Sequence, residues 1–191
     1  MSIATKALVI VDVQPTFCEG GELAVAGGNQ VALDIARFAQ AKRQDYGLIV
    51  TTQDWHVSPG DHFSTDPDFI DSWPPHGVAG TPGAELHPAL SQLRPDVMVK
   101  KGQYQAAYSG FEGTDQAGLP LAQILQDAGV TSLDVVGIAE SHCVSATALD
   151  GIKAGFAVTV FTNLTVPVTP ELGQQARHAM AVAGVELVAA T

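Results

Sequence analysis

One stretch, Leu133 to Val144 (LDVVGIAESHCV), constrains the fold of this chain more than any other. A run dominated by β-branched and apolar residues, Leu133 to Ile138, meets the short polar turn Glu140-Ser141-His142. Cys143 then opens a helix expected over Val144 to Ala154. A strand that passes through a tight turn into a helix is the building unit of an α/β sheet. The first turn of a helix carries unpaired backbone N–H groups and the positive end of the macrodipole, so a thiol placed there ionises more readily than one in water. The competing reading makes Cys143 a small buried hydrophobe. Which of the two holds depends on what else the chain brings to the same place.

At 191 residues with no shift in composition that would mark a linker, a single domain over residues 1–191 is expected. Nine basic residues against twenty acidic ones give a net charge of -11. That balance argues against a nucleic-acid surface and against attraction to anionic membranes. The N-terminal apolar run follows a lone Lys6 and is broken by Asp12, with no signal-peptide pattern and no window of membrane-spanning length. A cytoplasmic location is the expectation. Cys18 and Cys143 form neither a disulfide framework nor a CxxC pair, which is compatible with a reducing compartment and one catalytic thiol.

Ala7 to Val13 (ALVIVDV) is nearly all apolar, the pattern of a strand buried on both faces of a parallel sheet. Asp12 falls near its carboxyl end, where a carboxylate needs an ion partner, a capping role or a catalytic task. Gln14 to Gly21 reads as a loop leaving the sheet, carrying Phe17 and Cys18 near a cleft. Asn29 to Arg43 has apolar residues at helical spacing, with Asn29 as N-cap, and Gly47 to Thr52 is the next strand. A right-handed β-α-β unit follows.

Directly after that strand comes Gln53-Asp54-Trp55-His56-Val57-Ser58-Pro59-Gly60-Asp61-His62. Alternate side chains of an extended segment share a face, so Asp54 and His56 can point into one pocket, and the Ser58-Pro59-Gly60 turn can return His62 to it. His76, in Ser72-Trp73-Pro74-Pro75-His76-Gly77, is a fourth candidate. One carboxylate and three imidazoles suit a divalent transition ion such as zinc, iron or manganese. Asp61 is read as a turn residue or a support to the ligands, and His87 and His178 as structural.

Val97 to Val99 is another short strand, ending in Lys100-Lys101-Gly102. Lys100 is read as a solvated strand end. Lys101 is read as that, or as a cation placed beside the thiol and Asp12. The glycine- and aromatic-rich GQYQAAYSGFEG, with Tyr104 and Tyr108, can line a pocket or an interface. A helix over Leu119 to Ala128, a strand Ala157 to Phe161, a helix opening at Thr169-Pro170-Glu171 and a strand Val185 to Ala189 complete a doubly wound α/β fold of five or six mainly parallel strands with helices on both faces. Open parallel sheets bind ligands beyond the carboxyl ends of their strands, where Asp12, Asp54, Lys101 and Cys143 all fall.

From ALVIVDVQPTFCEGGELAV through QDWHVSPGDHFS, SWPPHGVAGTPGAELHP, KGQYQAAYSGFEG and VVGIAESHCV, the chain resembles the nicotinamidase (pyrazinamidase) branch of the isochorismatase-like cysteine hydrolases. The resemblance implies that Asp12, Lys101 and Cys143 are the catalytic triad and that Asp54, His56, His62 and His76 hold one metal ion. It implies that Phe17, Trp73 and Tyr108 surround the substrate ring. It also implies a cis Ile138-Ala139 peptide, with the backbone N–H groups of Ala139 and Cys143 as oxyanion hole. The expected reaction converts nicotinamide to nicotinate and ammonia through a thioester, with pyrazinamide as a further expected substrate, and relatives of this branch often form homo-oligomers. Pro15-Thr16 stands where many relatives carry Asn-Asp, and Ser141 where many carry Asp.

Two rival readings stand beside this one. A hydrolase of the same fold acting on another small amide would not need the Asp54-His56-His62-His76 set. A non-enzymatic metal-binding protein would have no use for Asp12, Lys101 and Cys143.

Overall fold

Strand β1, Thr5–Val11, lies at the centre of the molecule because both of its faces are apolar: Ala7, Val9 and Val11 enter one core cluster, Leu8 and Ile10 the other. The computed structural model describes residues 5–191; residues 1–4 of the expected domain lie outside them. The other strands are β2 (Leu48–Asp54), β3 (Val97–Lys101), β4 (Val130–Ile138), β5 (Ala157–Val166) and β6 (Glu186–Val188), in the sheet order β3-β2-β1-β4-β5-β6. Every adjacent pair is parallel. Six parallel strands agree with the expected doubly wound sheet, although β2 and β3 run two residues further than their apolar stretches and β5 five residues further.

Helix α1 (Gly28–Ala41) lays Val31, Ala32, Ile35, Ala36 and Ala39 against Leu8 and Ile10. Helices α2 (Leu121–Asp127), α3 (Ser145–Lys153) and α4 (Pro170–Val182) cover the opposite face, where Leu121, Leu125, Ala148 and Met180 meet Val9, Leu133 and Val135. Because the connections from β1 and β4 leave on opposite faces, a crevice opens between the carboxyl ends of these two neighbours. At Gly137 (φ +132°) an added Cβ would stand 2.1 Å from Val11 O, so only glycine lets β4 and β1 pair this closely here.

The start of α1 differs from the sequence expectation. Gly27, in the left-handed region at φ 87°, is the N-cap, and Asn29 is already helical. The Glu19 carboxylate takes over the capping role, accepting from Gly27 N at 2.6 Å and Asn29 N at 2.8 Å. A longer acid reaching back from the preceding loop satisfies the same orphan donors as a capping Asn would, and adds a negative charge at the positive end of the helix.

Candidate active site

The sheet order makes β3, β2, β1 and β4 neighbours, so their carboxyl ends deliver Lys101, Asp54, Asp12 and the segment leading to Cys143 to one place. Lys101 and Asp54 are the last residues of β3 and β2, and Asp12 follows the last residue of β1. Cys143 does not open an α-helix. It sits in a wide π-helical turn, Glu140–Val144, that follows Ala139 and leads into α3. The Ile138-Ala139 peptide is cis.

Asp12 is fully buried at φ 46°, an unfavourable conformation for a residue with a Cβ. Its Oδ1 accepts from Thr52 Oγ1 at 2.6 Å, and its Oδ2 lies 2.9 Å from the Lys101 ammonium. Lys101, also fully buried, contacts Asp54 Oδ1, donates to Ala107 O at 3.2 Å and stands 3.8 Å from Cys143 Sγ. Lys100, by contrast, is no solvated strand end: its Nζ stacks 3.1 Å from the centre of the Trp55 ring, so cation–π attraction holds it half-buried.

Burial dominates the protonation of this cluster. It pushes the Asp12 carboxyl up, beyond what the neighbouring Lys101 charge takes back. It opposes ionisation of Asp54 too, but there the Lys101 ammonium wins and holds the carboxyl well below the usual range. Burial alone would lower Lys101, and the carboxylates of Asp12 and Asp54 outweigh it and keep the ammonium charged. Burial, with the same two carboxylates, pushes the Cys143 thiol well above an ordinary cysteine despite Lys101. This corrects the expectation of a resting thiolate: the sulfur is far enough from water, and near enough to two acids, that one lysine does not ionise it.

Asp54 also faces the histidines. Its Oδ2 lies 3.5 Å from His56 Nε2 and 3.7 Å from His76 Nε2. His56, His62 and His76 are all buried, and one potential ligand atom from each lies within 4.8 Å of the others. His56 Nδ1 meets the Gly102 carbonyl at 2.6 Å and His76 Nδ1 the Pro74 carbonyl at 2.8 Å. Those carbonyls can only accept, so each ring carries its proton on Nδ1 and turns the Nε2 lone pair inward. His56 Nε2 and His62 Nδ1 are buried without a hydrogen-bond partner. Burial beside the other two rings lowers His62 to about 4, which keeps it neutral and able to act as a ligand at neutral pH. Two buried carboxylates share one ammonium here, leaving a negative charge without a counter-ion. Orphaned lone pairs and unbalanced negative charge are what a cation bound by Asp54, His56, His62 and His76 would satisfy.

Both halves open on one pocket of about 70 Å³, roughly five times the space one ordered water needs and so sized for a single small ring. Phe17, Trp73 and Tyr108 line it, together with Asp54, His62, His76, Ala139 and Cys143. Trp73 Nε1 donates to Tyr108 Oη at 2.9 Å, which fixes these two walls against each other. His142 completes them, its ring 5.5 Å from Trp73 and nearly perpendicular to it. The sequence places His142 in a turn and carries no signal for Leu23, Ala24, Val25 and Val168 as further walls. Val25 and Val168 come from loops after β1 and β5 whose return to the pocket has no local signature.

Residues outside the set also find places. Thr16 Oγ1 accepts from Gly77 N at 3.0 Å, tying the loop after β1 to the His76 segment. Ser141 Oγ accepts from Val168 N at 3.1 Å and lies 2.9 Å from His142 Nδ1. Asp61 is exposed in the turn before His62, and His87 is held by Asn29 Oδ1 at 3.0 Å.

The chain is similar to known proteins along nearly its whole length. The chain is 49% identical over 183 residues to the nicotinamidase/pyrazinamidase of Mycobacterium tuberculosis, covering 96% of this chain and 98% of that one. A pyrazinamidase of Pyrococcus horikoshii solved in complex with zinc superposes with a TM-score of 0.82 at 34% identity, covering 97% and 99% of the two chains. PnC1 from L. infantum, solved in complex with nicotinate, superposes with a TM-score of 0.84 at 32% identity, covering 99% and 96%. The isochorismatase domain profile matches residues 6–191, and the chain belongs to the isochorismatase domain family.

Proposed function

We propose that this protein is a metal-dependent cysteine amidohydrolase that converts nicotinamide to nicotinate and ammonia, as a cytoplasmic step of NAD salvage, and that it also accepts pyrazinamide. The observation that carries the proposal is the approach of Lys101 Nζ to within 3.8 Å of Cys143 Sγ, at a ring-lined pocket whose other wall includes His62 and His76 of the three-histidine cluster. The identity of the relatives supports the choice of substrate.

Cys143 is the nucleophile, Asp12 the general base and Lys101 the cation that holds them together. Because burial beside Asp12 and Asp54 favours the neutral thiol at Cys143, its proton leaves as the sulfur attacks the carboxamide carbon. Asp12, with its affinity for protons raised by burial, is suited to accept that proton. The backbone N–H groups of Ala139 and Cys143 hold the oxyanion, a kind of contact worth about 3–4 kcal/mol. Asp12 returns the proton to the leaving nitrogen, ammonia departs, and a thioester stays on Cys143. A water molecule, losing a proton to Asp12, adds to the thioester and releases nicotinate and the thiol. Phe17, Trp73 and Tyr108 orient the ring so that the carboxamide faces the sulfur. Asp54, His56, His62 and His76 would hold one divalent zinc, iron or manganese ion, which when bound supplies a Lewis-acid contact for a ring nitrogen.

Ammonia release from nicotinamide by the purified protein tests this, with Cys143→Ala and chelator-treated protein as controls. Release that needs both the thiol and a restored metal is expected. No release from metal-loaded wild type would reject the substrate and leave another small carboxamide to be sought on the same site.

A further inference from the structure

Glu140 is a fully buried acid that the reaction above does not use. It lies in the turn that carries the nucleophile, one residue after Ala139 and three before Cys143. Both of its oxygens are engaged by one guanidinium: Arg177 Nε donates to Oε1 at 2.8 Å and Nη2 to Oε2 at 2.9 Å. Arg177 belongs to α4, and its side chain is 47% exposed, so water reaches the pair from one side only.

Two further features link the same turn to the β5–α4 segment. Val168 N donates to Ser141 Oγ at 3.1 Å. Gly173 of α4 is buried, and an added Cβ would stand 2.7 Å from Pro167 Cβ and 3.4 Å from Glu140 Oε2, so the missing side chain lets α4 close on Pro167 with Glu140 beside it. Within the turn, Ala139 O accepts from both His142 N, at 3.0 Å, and Val144 N, at 3.2 Å. A wide turn whose carbonyl is shared in this way has less backbone support than an α-helix. A two-pronged charged bond to a rigid helix supplies the orientation that the turn itself lacks.

We infer that the Glu140–Arg177 fork is a positioning device for the nucleophile: it fixes the π-helical turn against α4 so that Cys143 Sγ stays beside Lys101 and Asp12. The inference rests on Cys143 being the nucleophile. Arg177 never meets the substrate, so its loss acts on the chemical step through the turn and leaves the pocket walls Phe17, Trp73 and Tyr108 in place. The signature is a fall in kcat with little change in KM.

The test compares wild type, Arg177→Met, Arg177→Lys and the double variant Glu140→Gln/Arg177→Met, all metal-loaded. Nicotinamide turnover and thermal melting are measured, and alkylation of Cys143 by iodoacetamide is followed on its own peptide by mass spectrometry. Arg177→Met is expected to lose at least tenfold in kcat with KM within twofold, and Cys143 is expected to alkylate more slowly by a similar factor, having lost its base. Arg177→Lys, which keeps the charge but not the fork, should recover part of both losses. The double variant leaves no buried charge unpaired, so its Tm should exceed that of Arg177→Met while the kcat deficit persists. The inference is overturned if kcat in Arg177→Met stays within twofold of wild type, if Cys143 alkylates at the wild-type rate, or if the double variant regains activity along with stability. Should wild type release no ammonia from nicotinamide, the proposed reaction fails, and the alkylation comparison still decides the role of the fork.

Discussion

Asp54 and Lys101 are register partners in the β2–β3 ladder, and their side chains meet in the buried interior at the carboxyl edge of the sheet. The remaining Asp54 oxygen faces His56 and His76. One carboxylate therefore belongs to both the histidine cluster and the nucleophile cluster, and disturbing it disturbs both.

Asp54→Asn should separate these two roles. Losing the charge removes a ligand, so metal content measured after gel filtration falls well below one per chain. It also removes one of the acids that keep the Cys143 thiol neutral, so the pH profile of Cys143 alkylation in the metal-free variant moves to lower pH than in metal-free wild type. Turnover is lost all the same. In His62→Ala the metal loss is expected without that shift; an identical shift in both variants would detach Asp54 from the thiol.

Gly102 is the neighbour of His56 that cannot be enlarged. At φ +74° it occupies a region that favours glycine, and a Cβ there would stand 2.5 Å from His56 Cε1. Gly102→Ala is expected to cost roughly 1–3 kcal/mol in stability and, by tilting the His56 ring off the Gly102 carbonyl, about 10–100-fold in metal affinity. Denaturant titration and competition with a chromophoric chelator measure the two effects.

Gln14 staples the loop after β1 to the end of β2. Its amide donates to Asp54 O at 2.9 Å and Ala84 O at 2.8 Å, and accepts from Asp54 N at 2.9 Å. Gln14→Leu is close in size and removes the side-chain partner of Asp54 N and Asp54 O, while Ala84 O keeps Gln53 Nε2 at 2.8 Å, so a loss of roughly 2–3 kcal/mol is expected in the urea midpoint analysis. The same substitution frees the Asp54 backbone, so metal affinity should fall with it.

Much of this site can be read in the sequence because a parallel sheet brings carboxyl strand ends together whatever their order in the chain. The strand boundaries and that rule bring Asp12, Asp54, Lys101 and Cys143 to one edge, while the choice of Lys101 as a cation of the site rests on the family resemblance. Alternation in an extended segment was enough to group Asp54 with His56. What could not be read are side chains whose partners lie far away in sequence and whose local context is ordinary. Glu19 caps α1 from eight and ten residues away, Lys100 stacks on Trp55, and Glu140 meets Arg177 across 37 residues. The push toward a neutral Cys143 thiol is hidden for a related reason: a helix start and a nearby lysine are visible in the sequence, whereas burial beside two carboxylates is a property of the packed site.

The Glu19 cap gives a pH-dependent prediction with a definite sign. Backbone N–H groups at the start of α1, with that of Asn29 contributing most, hold the Glu19 carboxyl below its ordinary value of 4.5. A lowered folded-state pKa means that the cap stabilises the fold above the unfolded-state value and that this contribution is lost as pH falls through the folded one. The stability difference between wild type and Glu19→Gln should be level from pH 8 to about 6 and shrink toward zero as the pH drops below about 4. A difference that grows on acidification would contradict the capping role.

The most direct measurement is acid quenching of metal-loaded wild type during turnover of nicotinamide, followed by mass spectrometry of the Cys143 peptide. The account predicts a nicotinoyl group on Cys143 that appears within the first turnover, disappears once substrate is consumed, and is missing from Asp12→Asn and from chelator-treated protein. Ammonia release at full rate with an unmodified Cys143, or a nicotinoyl group on any other residue, would contradict it.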